Sequence, residues 1–119
     1  MFKEEITYED YNGETRTEDF YFHLSKSEAV KMENSIDGGL SNKIKQIAAA
    51  NDKPQLIDLF EKIVLAAYGL KSDDGKRFEK SEDIRNAFKE SPAYDVFFMR
   101  LLSEDGYAAK FISAITPKQ

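Results

Sequence analysis

His23 is the only imidazole in the sequence, and cysteine is absent. A catalytic or metal-binding histidine needs a partner, and the sequence offers neither a second histidine nor a cysteine. His23 is therefore expected to be structural or solvent-exposed. The lack of cysteine excludes disulfides, thiolate sites and cysteine nucleophiles. Asp73-Asp74-Gly75 has the composition of a calcium loop. Placing Gly75 at the sharp turn of such a loop puts Leu70 at the first ligand position and Ser81 where a bidentate acid is required. Leu70 has no side-chain oxygen and Ser81 no carboxylate, so the segment reads as a solvated turn. The acidic pairs Glu82-Asp83 and Glu104-Asp105 follow Ser81 and Ser103, where first-turn carboxylates favour the positive end of a helix. Gly38-Gly39 lacks the lysine of a phosphate loop and reads as a helix stop and hinge. No catalytic residue, cofactor or metal ligand is expected.

Surplus apolar positions point instead to binding. In Tyr94-Asp95-Val96-Phe97-Phe98-Met99-Arg100-Leu101-Leu102, the residues Tyr94, Phe97, Phe98, Leu101 and Leu102 complete a core-facing helical stripe. Val96 and Met99 form a second stripe on another side, and Leu65 continues the row Asp58, Glu61, Lys62 that is expected to face water. A neighbouring helix would cover them in an ordinary core. Left open, they make an apolar partner-binding patch to which methionine adapts readily.

The elements that must position these residues change period once. Ile6 and Tyr8, then Phe20, Phe22 and Leu24, alternate with polar neighbours at the spacing of strands with one buried face. A two-residue Asn12-Gly13 turn would put the two apolar rows on opposite faces. A three-residue loop, with Gly13 left-handed as a bulge, pairs even positions with even and unites Phe2, Ile6, Tyr8, Phe20, Phe22 and Leu24. Ser25-Lys26-Ser27-Glu28 is a capping box that starts a helix near Lys26, ending before Gly38. Further helices are expected over Leu40–Ala50, Pro54–Tyr68 (the most buried, ended by Gly69), a short one after Ser81, Pro92–Leu102 and Asp105–Ile115, with Leu70–Lys80 a polar loop. The architecture is α+β: an N-terminal β-hairpin (residues 1–24) packed on a bundle of five or six short α-helices (25–116), in a single domain over 1–119.

Size and charge are consistent with that plan. The 119 residues, with nine Phe and six Tyr, supply one core. Seven acidic and two basic residues fall in 1–24, a net of −5, whereas 15 of each sign leave the rest neutral. No basic stripe offers a nucleic-acid footprint, and no apolar run approaches the ~20 residues of a membrane span. A cytoplasmic location is the expectation. The acids Glu9, Asp10, Glu14 and Glu18 form a candidate functional surface on the hairpin. Their charge discourages sheet-to-sheet aggregation, and the same cluster is able to steer a basic partner.

Several stretches resemble tail assembly chaperones of long-tailed (siphovirus-type) phages of Gram-positive bacteria: Ile6-Thr7-Tyr8-Glu9-Asp10-Tyr11-Asn12-Gly13, Phe20-Tyr21-Phe22-His23-Leu24-Ser25, Ala67-Tyr68-Gly69-Leu70-Lys71-Ser72-Asp73-Asp74-Gly75-Lys76-Arg77-Phe78 and Phe111-Ile112-Ser113-Ala114-Ile115-Thr116-Pro117. The resemblance implies a non-enzymatic protein of the bacterial host cytoplasm, absent from the mature virion. It would bind the tape-measure protein, keep it soluble and help recruit tail-tube protein. A frameshift-extended form of itself is a further implied partner, while the exposed apolar stripes serve self-association as well as partner binding. A structural tail-completion or connector subunit of the virion shares the size, acidity and lack of catalytic motif.

Overall fold

The computed structural model describes residues 1–104 and 106–116, the side chains of Ser41 and Ala48 excepted. Strand β1 (Phe2–Glu9) pairs antiparallel with β2 (Thr15–Phe22), with Phe2 opposite Phe22 and Glu9 opposite Thr15. Even residues thus face even ones. The loop is the odd-length one: Gly13 N–H donates to the Asp10 carbonyl, Asp10 N–H donates to the Glu14 carbonyl, and Gly13 sits at φ +84°. Asp10 stabilises the turn by accepting from the backbone N–H groups of both Asn12 and Glu14. Phe2, Ile6, Phe22 and Leu24 are buried, and Tyr8 and Phe20 pack half-buried beside them.

Six helices follow in the expected order: α1 (Lys26–Ser35), α2 (Leu40–Ala50), α3 (Lys53–Ala67), α4 (Glu82–Lys89), α5 (Pro92–Ser103) and α6 (Tyr107–Ile115). The Ser25–Glu28 capping box forms in both directions, and the hydroxyls of Ser81 and Ser91 cap α4 and α5. Helix α3 buries Leu59, Phe60, Ile63, Val64 and Ala67. The N-terminal residue expected of α6, Asp105, lies outside the described residues.

One expectation fails between α3 and α4. The polar loop over Leu70–Lys80 is a second hairpin, β3 (Tyr68–Lys71) and β4 (Phe78–Glu79), and α3 stops at Ala67 rather than Tyr68. Strand β3 pairs with β2, giving a four-stranded antiparallel sheet in the order β1-β2-β3-β4. Gly69 is therefore a strand residue and not a helix cap. A Cβ there would meet Phe78 Cε2 at 2.6 Å and the Glu79 carbonyl at 2.9 Å, so only glycine lets the Phe78 ring lie across the strand. Strands of four and two residues are too short to show an alternation, which is why composition alone suggests a loop.

The helices cover one face of the sheet. Phe22 stacks on Phe97 at 4.6 Å between centroids, and Phe111 and Phe2 meet both rings. Tyr68 stacks on Phe88 at 4.0 Å. Such pairs contribute roughly 0.5–1.5 kcal/mol each beyond the area they bury. The hairpin also loses the end of one of its two potential edges, because β3 pairs with Tyr21 and Phe22 of β2. On β1 the Asp10–Glu14 hydrogen bond makes even residues the inward-bonding ones, so Lys3, Glu5, Thr7 and Glu9 turn their backbone groups to the free edge. Three of those four carry charge, which discourages strand addition.

Candidate partner-binding surfaces

Helix α5 carries the longest apolar row left outside the core. Ala93, Phe97, Phe98 and Leu101 are buried and fix which side faces the sheet. At 3.6 residues per turn, Val96, Met99 and Leu102 then fall on the outer side, 36%, 54% and 39% exposed. Leu102 thereby leaves the core-facing stripe assigned to it from sequence; five residues on from Phe97, it has rotated about 140° away. The roll of α5 is held by a polar pin beside Val96. Arg100 Nη1 donates to Glu4 Oε1 at 3.1 Å, Tyr107 Oη donates to Glu4 Oε2 at 2.6 Å, and the guanidinium lies 4.8 Å from the Tyr107 ring centroid. Burial, then the hydrogen bond to the Glu4 carboxylate, pushes the Tyr107 hydroxyl well above its usual range, so it stays a donor.

Leu65 lies elsewhere. Phe60, Ile63 and Val64 turn toward Leu101 of α5 and Phe111 of α6, and Leu65 sits half-buried on the far side of α3. There it forms, with Leu24 and Met32, the floor of an open groove of about 570 Å³ between α1, α3 and α4. Lys31, Lys62 and Arg85 rim this groove, and none of the three has an ion-pair partner among the described residues. The acid that lines it, Glu28, is bound to Lys80 at 2.8 Å. The structure thus brings Val96 and Met99 together, adds Leu102, and leaves Leu65 in a different surface.

Lys80 fastens the groove to the sheet. Its side chain is 12% exposed, and Nζ donates to the His23 carbonyl at 2.7 Å, the Ala66 carbonyl at 2.9 Å and Glu28 Oε2. Three acceptors satisfy three donors, and the charge sits at the C-terminal end of α3, where a cation is favoured. Burial works to raise the Glu28 pKa, but the bonds from Lys80 and from Ser25 N–H outweigh it and hold the carboxyl below its ordinary value. His23 packs edge-on to Phe78 on the outer face of the sheet, and its Nδ1 has no hydrogen-bond partner among the described residues. Burial first, then the positive charges of the N-terminus and Lys80, lowers its pKa, which keeps the ring neutral. Neither Lys80 nor the Glu4–Arg100–Tyr107 pin is visible in the sequence, because all their hydrogen-bond partners but the Ala66 carbonyl lie 52 to 103 residues away.

The four hairpin acids divide by role. The Asp10 carboxylate caps the turn and pairs with Arg16; that side-chain bond, then the backbone N–H groups, holds its pKa low. Glu18 accepts from the Tyr8 hydroxyl across the strands. Glu9 and Glu14 have no ion-pair or side-chain partner among the described residues and flank Tyr11, which is 84% exposed at the tip. In the second hairpin, Asp74 accepts from Ser72 Oγ and Lys76 N–H within its own turn, the solvated turn expected there.

The surfaces available on this chain are thus an exposed apolar row, a basic-rimmed groove and an acidic tip, and no helix among the described residues is long and apolar enough to cross a membrane. Neither a curated protein nor a solved structure matches the chain. A family model described as phage tail assembly chaperone matches it over residues 1–119. With the whole sequence covered, the chain belongs to the phage tail assembly chaperone family.

Proposed function

We propose that this protein binds the tape-measure protein in the bacterial host cytoplasm, keeps it soluble while tails assemble, helps recruit tail-tube subunits and leaves the finished particle, without catalysing a reaction. The observation that carries the reading is the apolar row Val96, Met99 and Leu102, presented on a helix whose roll is fixed by the Glu4–Arg100–Tyr107 pin. A tape measure is a long, largely helical chain whose apolar stripes associate when bare. A holder must cover them weakly, many times over, and release them, and a short row supplies weak contacts that act in number. Methionine at the centre adapts to stripes of varying shape.

Co-expression tests this reading. Wild-type protein is expected to move the tape measure into the soluble fraction, and Met99→Glu is expected to fold yet leave it insoluble. Full solubilisation by Met99→Glu would remove this face from the account. Mass spectrometry of purified particles separates a chaperone, which is absent, from a connector subunit, which is present in a fixed small number.

A further inference from the structure

The groove between α1, α3 and α4 joins an apolar floor to positive charge that the chain leaves uncompensated. Met32 and Leu65 lie at its base, with Lys31 contributed by α1, Lys62 by α3 and Arg85 by α4. The acids nearby in sequence are engaged elsewhere. Glu28 lines the groove but is bound to Lys80, Glu61 pairs with Lys89, and Glu33 accepts from the Leu40 N–H. Asp58, one turn before Lys62, lines a neighbouring hollow of about 390 Å³ together with Asp37 and Lys43. With Glu28 and Lys80 neutralising each other, the three rim cations set the charge of the groove, and none of them has an ion-pair partner among the described residues.

That combination selects its occupant. Three cations on three helices exceed what the single carboxylate of a fatty acid can meet. A nucleic acid would supply enough charge but has no use for the apolar floor. A polypeptide segment with apolar side chains flanked by several carboxylates meets both, and Arg85 offers such a carboxylate two parallel N–H donors. The neighbouring hollow shares Lys62 with the groove and brings two carboxylates of its own, so the acidic run of the occupant is short.

We propose that the α1–α3–α4 groove docks a short acidic amphipathic helix of a partner protein, with its apolar side chains on Met32 and Leu65 and its carboxylates facing Lys31, Lys62 and Arg85. The mode is a helix laid into a groove, read by apolar anchors one turn apart. The face of α3 that bears Leu65 is turned away from α5. The site is therefore independent of the Val96–Met99–Leu102 row, and both surfaces can be occupied at once. A short segment buries less than the ~1,200 Å² of a standard interface, so docking is weak and reversible. It is also salt-dependent, since raising the salt from physiological strength to ~1 M shortens the reach of the charges from about 8 Å to about 3 Å.

Fluorescence anisotropy with the full chain tests the proposal. The probe is a labelled synthetic helical peptide carrying leucines one turn apart with glutamates on both sides of them. It is expected to bind saturably, and to bind about tenfold or more weakly when its glutamates are replaced by glutamine, when its leucines are replaced by serine, or at ~1 M salt. Lys31 and Lys62 are exposed, so the double variant Lys31→Glu, Lys62→Glu is expected to match wild type in circular dichroism and thermal melting while losing the glutamate probe. The decisive sample exchanges the charges: the double variant is expected to bind a probe with lysines in place of the glutamates, which wild type refuses. Met99→Glu is expected to bind the glutamate probe as wild type does, so the groove is tested apart from the α5 row. Absence of saturable binding, binding unchanged in the double variant, or equal binding of the glutamine or serine probes overturns the proposal. Displacement of the probe by a single-stranded oligonucleotide as readily as by unlabelled peptide overturns it in favour of a polyanion. Probe binding that falls as the protein concentration rises assigns the groove to a second copy and overturns it as well.

Discussion

Lys80 shows how much of this fold rests on single side chains that carry no pattern. It closes on a carboxylate of α1 and two backbone carbonyls, one in α3 and one in the link after β2, and removing it leaves all three short of a partner. Breaking a buried pair costs about 3–5 kcal/mol; with the Glu28 side chain 38% exposed to water, Lys80→Met is expected to cost about 2–3 kcal/mol in urea unfolding. The pH dependence has a definite sign. The folded pKa of Glu28 is below its unfolded value, so its contribution is complete at neutral pH and is lost as the pH falls from about 4.3 through the folded pKa. Glu28→Gln is expected to flatten that acid limb while lowering stability at pH 7. Gly69→Ala places a methyl group 2.6 Å from Phe78 and 2.9 Å from a backbone carbonyl, and thermal melting is expected to report a loss of about 1–3 kcal/mol. Residue types announced what the molecule lacks, such as thiols. Which polar residues meet was hidden, because a lysine 57 residues from its acceptor has no local signature.

At the scale of elements, periodicity and capping were the legible signals. The hairpin register followed from parity, since only an odd loop unites Ile6 with Phe20 and Phe22 on one face. Gly13 at φ +84° makes that loop testable: Gly13→Ala is expected to cost about 1 kcal/mol in chemical denaturation. The capping serines placed α1, α4 and α5 because each offers a hydroxyl to a bare N–H. The second hairpin was illegible for the opposite reason. Strand β3 owes its conformation to pairing with β2, β4 to pairing with β3, and both to the ring of Phe78 lying over Gly69, and a tertiary cause leaves no periodic trace. Helix α5 was read correctly except at Leu102, where the stripe was drawn one position too wide.

The whole molecule separates two kinds of surface. Its sheet carries charge along the free edge of β1 and on the hairpin tip, and its helices carry the apolar row and the basic-rimmed groove. Sequence singled out Leu65, Val96 and Met99 together because each broke an amphipathic pattern. Helix packing divides them, since the face of α3 that bears Leu65 is turned away from α5. The proposed contact with the tape measure rests on the α5 row alone. A photo-crosslinking residue at Met99, irradiated in phage-producing cells, tests that claim most directly. The account predicts an adduct with the tape-measure protein from Met99 and none from Lys76, an exposed residue in the turn of the second hairpin. No adduct at Met99, or equal yields at both positions, would contradict it.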